Sequence, residues 1–237
     1  MTHEAWQADD PEPFEPEQHA AQLAGLVRLL GPPPRRGLDL GCGPGRILVP
    51  LAAEGHRMIG LDRDPSILTV CEDRLARAGA TAELHAVDFQ AAWPSSVTDL
   101  DFVLCLGNTF AILADVDAAV AMLQRVASVL APGGVFLMDD LAADLWPELT
   151  EGYWCSGVSD DGTAQIIWHP SDAIFALRHG DAVDDRSWTF EAGDQPLRLW
   201  TDGALRLAAA AGGLSGPERE DGAHLIVMRR GANPTAG

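Results

Sequence analysis

Between residues 37 and 138 short apolar runs alternate with stretches of helical spacing, and this rhythm most constrains how the chain can fold. Residues 37–40, 57–61, 82–87, 101–106 and 135–138 read as strands, and residues 46–54, 65–78 and 116–130 as the helices among them. Pro65 opens a helix, Gly55 and Gly79 each follow one, and Pro132-Gly133-Gly134 leads into the fifth strand. The run 101–106 is almost wholly apolar, as a strand covered on both faces requires. Strands joined through helices predict a doubly wound α/β protein with a mostly parallel sheet and right-handed crossovers. An amphipathic helix over 17–30, with Leu23, Leu26, Val27 and Leu30 on one face, precedes the alternation and ends at Gly31 and three prolines.

The pattern changes after about residue 145. Residues 155–159, 164–169, 173–179 and 186–190 read as short strands separated by Asp160-Asp161-Gly162, Pro170-Ser171-Asp172 and Gly180-Asp181, all turn sequences. They predict an antiparallel β-meander inserted late in the α/β domain. Helical spacing returns over 202–211, and a last strand spans 223–229.

Composition narrows the chemistry. The 237 residues carry 16 basic and 35 acidic side chains, net −19, and every basic residue is arginine. Without lysine there is no Walker-type phosphate lysine, no kinase lysine and no Schiff base on the chain's own side chain. The acidity argues against binding nucleic acid through its phosphates and against anionic membranes. Cys42, Cys71, Cys105 and Cys155 are widely spaced without a CxxC pair, which predicts reduced thiols in a cytoplasmic protein. The first 19 residues lack arginine, so no signal peptide is expected at the start, and no apolar run reaches the length of a membrane span.

The segment Leu38-Asp39-Leu40-Gly41-Cys42-Gly43-Pro44-Gly45-Arg46 joins the first strand to the first helix. Glycines there permit positive φ and close approach of a ligand to the backbone. In an open α/β sheet, ligands bind beyond the carboxyl ends of the strands, where strand order reverses. The spacing is G-x-G-x-G, not the G-x-G-x-x-G of a dinucleotide site. This sequence resembles the first motif of class I S-adenosylmethionine (SAM)-dependent methyltransferases. Asp62 ends the second strand and Asp88-Phe89 the third, in the order that family places its ribose and adenine contacts. The stretch LCLGNTFAIL, from Leu104 to Leu113, is similar to small-molecule N-methyltransferases of the glycine N-methyltransferase group.

The resemblance implies a seven-stranded Rossmann-like sheet and SAM as cofactor, with S-adenosylhomocysteine as product. It implies a cofactor site of Asp39, Gly41, Cys42, Gly43, Gly45, Arg46, Asp62, Arg63, Asp88, Phe89 and Leu106. It further implies methyl transfer to a small molecule, an amine before an oxygen or carbon acceptor, by a monomer or homodimer. One domain is expected over 1–237: an N-terminal helix and lid over 1–34, a SAM-binding core over 35–145, a substrate-covering insertion over 146–195, and a helix and strand over 196–230 that complete the core. Several N-methyltransferases of this group use tyrosines near the reacting methyl, whereas this chain has only Tyr153.

Candidate acceptor and catalytic residues are fewer. Asn108, in a chain with only one other asparagine, offers a donor and an acceptor at a strand end. It reads equally as a helix cap or a left-handed turn residue. His169 and Arg178 are candidate catalytic groups at strand ends of the insertion, with a surface turn as the alternative for the histidine. Trp6, Phe14, Tyr153 and Trp168 are candidate walls for the substrate, and aromatic packing within the meander is their alternative. No metal site is expected; a His169–Asp172–His179 set matches no ligand spacing. Rival classes are an NAD(P)-dependent oxidoreductase, against which the glycine spacing argues, and a SAM-binding protein without turnover.

Overall fold

The computed structural model describes residues 16–220 and 222–230. Trp6 and Phe14 lie outside the described residues, and so does the Cys155 side chain.

A five-stranded parallel array is the centre of the chain. In sequence order its strands are β1 (Arg36–Leu40), β2 (Arg57–Asp62), β3 (Glu83–Ala86), β4 (Leu100–Cys105) and β5 (Leu130–Asp139). β1 pairs in parallel with β2 on one side and with β4 on the other. Chain order therefore runs outward to β3 on one side and to β5 on the other, and the switch lies between β1 and β4. Further along the chain a separate three-stranded sheet holds β6 (Ala164–Trp168), β7 (Ile174–His179) and β8 (Leu197–Arg198). β9 (Glu218–Glu220) and β10 (Leu225–Arg229) complete the large sheet in the order β3-β2-β1-β4-β5-β10-β9, with β10 antiparallel to both neighbours. The expected seven-stranded, mostly parallel sheet and its antiparallel companion are both present.

Both faces of the large sheet are covered. The helices α1 (Pro16–Leu30), α2 (Leu48–Ala53) and α3 (Pro65–Ala78) bury Leu26, Leu48, Leu51 and Leu75 with Phe102 and Leu137 on one face. The helices α4 (Val116–Val129) and α6 (Asp202–Gly212) bury Met122, Leu123 and Leu205 with Phe136 and Met138 on the other. Burial on both faces explains why the strands read as apolar runs without alternation. A Cβ on Gly37 would fall 2.1 Å from the Phe102 ring, so glycine in β1 is what admits that ring beneath the sheet. α3 has the ends its sequence predicts. Asp64 caps it by accepting from Ser66 N at 2.8 Å, Pro65 occupies the first turn, and Gly79 closes it at φ 64°. Among the described residues no helix is long and apolar enough to cross a membrane.

Four expectations need correction. β5 begins at Leu130, because Leu100 pairs with Leu130 and Phe102 with Val135, so Pro132-Gly133-Gly134 bulges within the strand. A Cβ on Gly134 would lie 2.9 Å from two carbonyl oxygens, so that bulge depends on glycine. A helix α5 (Leu141–Glu151), capped by Asp140, stands where no element was expected; Pro147 inside it masked the signal. β9 was likewise unanticipated. Residues 155–159 and 186–190 do not form strands, and the third strand of the small sheet is β8.

Two buried polar side chains account for that last difference. Gln165 donates to the carbonyls of Asp184 at 2.8 Å and Ser187 at 3.0 Å and accepts from Asp184 N at 3.0 Å. Arg178 donates to both carboxylate oxygens of Asp194, at 2.8 and 2.7 Å, and to Thr189 O at 3.1 Å. The 184–194 loop is thus held by side chains of β6 and β7 in place of a strand ladder. The Arg178 and Asp194 side chains are only 4% and 5% exposed, so removing either strands a buried charge. Arg178→Met is expected to lower unfolding free energy by about 3 kcal/mol. Urea denaturation measures this, and a midpoint equal to that of wild type would rule the pair out as a structural tie.

Candidate active site at the switch point

β1 ends at Leu40 and the chain turns through Gly41, Gly43 and Gly45, all at positive φ of 69°, 52° and 86°. Gly41 N and Cys42 N both donate to Leu61 O, at 2.8 and 3.0 Å, which staples the loop to the end of β2. The three glycines serve different ends. A Cβ on Gly41 would lie 2.9 Å from Thr109 Cγ2, and one on Gly45 2.6 Å from Val49 Cγ2 and 2.7 Å from Cys71 Sγ. Above Gly43 there is open space. Gly41 and Gly45 are therefore packing glycines, and Gly43 leaves room for a ligand.

Asp62 faces that opening from β2. Its Oδ2 accepts from Gly43 N at 2.9 Å and its Oδ1 from Asp64 N at 3.0 Å. Arg63 beside it is exposed. Val87 N donates to Asp62 O at 2.8 Å, which brings the Asp88-Phe89 turn alongside; Asp88 accepts from Gln90 N at 2.8 Å and Phe89 is buried. Leu106 is buried at the end of β4, and its carbonyl accepts from Thr109 Oγ1 at 2.7 Å. Cys42 departs from expectation: its side chain packs into the core against Gly60, and burial pushes its thiol far above its ordinary range. Only its backbone faces the loop.

Behind the glycine loop lies a buried polar network that the sequence did not reveal. Asp139, at the end of β5, accepts from Gln22 Nε2 at 2.5 Å and from Asn108 N at 2.6 Å. Arg46 donates to Gln22 Oε1 at 2.8 Å and meets His19 Nδ1 at 3.2 Å, so its guanidinium is directed to α1. Asp39, 4% exposed, sits among these charges. Burial pushes its carboxyl up to about 7; Arg46 opposes this, while Asp62 and Asp139 add to it. Gln22 did leave a trace in the sequence, as a polar residue on the apolar stripe of α1 that continues through Leu26 and Leu30.

Asn108 stands at φ 58°, and its side chain does not cap the short 3-10 helix that follows. The left-handed turn reading is right, and the amide remains available. Its Oδ1 is buried without a hydrogen-bond partner. It lines a narrow cavity with Cys105, Met138, Asp139, Asp140 and Trp200. Trp200 is a site residue the sequence did not single out, and its Nε1 is also buried without a partner.

The insertion residues are placed differently from expectation. Arg178 is locked in its ion pair with Asp194 and has no free guanidinium for catalysis. His169 is exposed at the turn after β6, where its Nδ1 accepts from Ser171 N at 3.3 Å. Trp168 packs on Phe175 at 5.1 Å, and Tyr153, 40% exposed, contacts Trp154 edge-on. None of these four lines the cavity. Asp172, once a conceivable metal ligand, is paired with Arg198 at 2.7 Å.

Fold and loop together define a Rossmann-like α/β protein with a ligand cradle at the sheet's switch point. Residues 38–134 match the family described as methyltransferase domain. The chain is 30% identical over 161 residues to trans-aconitate 2-methyltransferase of Methylobacterium radiotolerans, covering 64% of this chain and 58% of that one. It is 28% identical over 167 residues to glycine N-methyltransferase of Mus musculus, covering 63% and 56%. The chain thus spans a little over half the length of these relatives. It is 29% identical over 205 residues to the dTDP-3-amino-3,6-dideoxy-alpha-D-glucopyranose N,N-dimethyltransferase of Streptomyces fradiae, covering 84% and 77%. In fold it is similar to the CcbJ methyltransferase of Streptomyces caelestis, with a TM-score of 0.66 at 18% identity, covering 94% of this chain and 100% of that one.

The raised Asp39 carboxyl has a measurable consequence. The folded protein holds its proton more tightly than the unfolded chain, whose carboxyl titrates near 3.8. The stability this proton carries is full below that pH and is lost as pH rises through about 7. Asp39→Asn is therefore expected to gain melting temperature relative to wild type between pH 5 and pH 8. Parallel pH profiles for the two proteins would show that Asp39 ionises normally.

Proposed function

We propose that the whole chain is an enzyme that transfers the SAM methyl group to an amine nitrogen of a small molecule. The observation that carries this is the open space above Gly43, with the Asp62 carboxylate tied to the same loop. SAM, when bound, supplies an electrophilic methyl on a sulfonium. The residues of the chain bind, orient and exclude water around it.

Gly43 lets the backbone approach the methionyl portion, Gly41 and Gly45 pack the turn that presents it, and Arg46 holds the loop to α1. Asp62 accepts from the ribose hydroxyls. Arg63, Asp88 and Phe89 frame the adenine, and Leu106 lies beneath. Asp39 gains its charge most readily beside a cation, which suits a sulfonium–ammonium ligand. Displacement at the methyl leaves a neutral sulfide, so alignment and dryness supply most of the acceleration and no acid is needed for the leaving group. Asn108, at the end of β4, presents its amide to the acceptor.

An amine is favoured over a polyanionic acceptor by the pocket's charge. Asp139 and Asp140 line it, Asp140 paired with Arg219, and the Arg198 guanidinium there is engaged by Asp172 and by Ala114 O. The names of the glycine and amino-sugar relatives point the same way. A reduced, cytoplasmic setting suits the free, buried thiols of Cys42, Cys71 and Cys105. The expected lid role of the insertion, and the division at 34, 145 and 195, belong to this same reading.

Calorimetry with SAM, S-adenosylhomocysteine and NADH tests the cofactor. Both adenosyl compounds should bind and NADH should not. Asp62→Ala is expected to weaken SAM binding by about 2 kcal/mol, roughly thirtyfold, through lost charged hydrogen bonds. Unchanged affinity would remove Asp62 from the site. Mass spectrometry of metabolite pools should reveal an enzyme- and SAM-dependent gain of one methyl group on an amine. A gain confined to carboxylates or hydroxyls would replace the amine reading, and binding without any product would leave a SAM-binding protein.

A further inference from the structure

Beyond the end of β3 the chain turns through Asp88, Phe89, Gln90 and Ala91, and a single side chain of α4 grips this turn. Arg125 Nη1 donates to three successive carbonyls, those of Phe89 at 3.2 Å, Gln90 at 3.2 Å and Ala91 at 2.6 Å. Trp93 Nε1 also donates to Phe89 O, at 2.7 Å, and the Arg125 guanidinium lies over the Trp93 ring at 5.3 Å. Both acceptor positions of the Phe89 carbonyl are thereby taken. The Phe89 side chain is buried in the core. In a chain with 35 acidic side chains, Arg125 forms no ion pair among the described residues and spends its donors on these carbonyls.

Three carbonyl oxygens converging on one point repel each other, and a positive charge at that point reverses the sign. The turn therefore keeps this shape through Arg125. The same peptides also hold Asp88. Gln90 N donates to Asp88 Oδ1 at 2.8 Å, and Ala91 N donates to Asp88 O at 2.8 Å. These two N–H groups belong to the peptides whose oxygens, Phe89 O and Gln90 O, meet Arg125. In a trans peptide the carbonyl and the N–H point in opposite directions. Arg125 thus grips one edge of two peptides, and Asp88 rests on the other edge. The second carboxylate oxygen of Asp88 is engaged by nothing among the described residues. Before the turn, Val87 N donates to Asp62 O at 2.8 Å and seats it beside the other carboxylate of the cradle.

Resting on the reading that Asp88 frames the adenine of SAM, we propose that Arg125 is the positioning residue for recognition of the base. Its charge orients two peptides, and those peptides aim the open oxygen of Asp88 at the 6-amino group. Arg125 acts through the turn and not on the base itself. The choice of adenine over a purine without the amino group is then set from α4, 34 to 36 residues further along the chain.

The test is calorimetry on the full chain with S-adenosylhomocysteine and its 6-deamino analogue, in which hydrogen replaces the amino group. Wild type should prefer the amino compound by at least about tenfold, as a hydrogen bond to a charged acceptor supplies. Arg125→Gln should bring that ratio below about threefold by weakening S-adenosylhomocysteine alone, with the analogue held within about twofold of its wild-type affinity. Arg125→Met serves in its place if Arg125→Gln does not fold. Arg125→Lys returns a positive charge to the carbonyls and should keep most of the preference. A role confined to stability would lower the melting temperature of Arg125→Gln and leave the ratio unchanged. An unchanged ratio therefore overturns the proposal, as does an equal loss of affinity for both probes, or a lysine variant no more selective than the glutamine one. Wild type without any preference removes Asp88 from the adenine and overturns the proposal with it. Failure of S-adenosylhomocysteine to bind wild type at all would instead overturn the methyltransferase reading.

Discussion

The carboxylate of Asp139 joins what the sheet alone leaves separate. It stands at the end of β5, takes one hydrogen bond from α1 through Gln22, and another from the backbone of Asn108 after β4. Through Gln22 it also reaches Arg46 and hence the glycine loop after β1. Parallel strands end as a row of loops with no inherent relation to each other. Here one buried acid fixes three of those loops and a helix in mutual register. In low dielectric such a network is strong when fully satisfied and costly when broken, so the geometry of the glycine loop and of the cavity beside Asn108 is set together.

The parallel core was legible because its signals are local. Glycine and proline mark each joint, and burial on both faces leaves unmistakable apolar runs. α3 matches its expected span because Asp64, Pro65 and Gly79 each act within one turn. The α5 segment was obscured by Pro147, whose missing N–H argues against a helix interior until Asp140 is seen to cap the segment. The meander was only partly legible for a different reason. Its outer loop is held by Gln165 and Arg178, polar residues whose partners lie up to 22 positions away. No periodicity reports such ties.

The same distinction runs through the site. The glycines and Asp62 were visible as a motif, since contiguous backbone makes the loop. Gln22 and Asp139 were not, because they meet only when distant segments come together, 117 residues apart. Arg178 and His169 show the converse. A charged or titratable side chain at a strand end looks chemical in sequence, yet Arg178 is consumed by holding a loop and His169 by closing a turn.

The edges of the large sheet carry a consequence for how copies of this chain can meet. β3 at one edge presents exposed Glu83 and half-buried His85; β9 at the other is Glu218-Arg219-Glu220. Charged side chains on short border strands discourage a second sheet from docking edge to edge. A net charge of −19 adds mutual repulsion wherever such edges approach. Among the described residues, then, neither edge of the central sheet favours pairing with the sheet of a second copy.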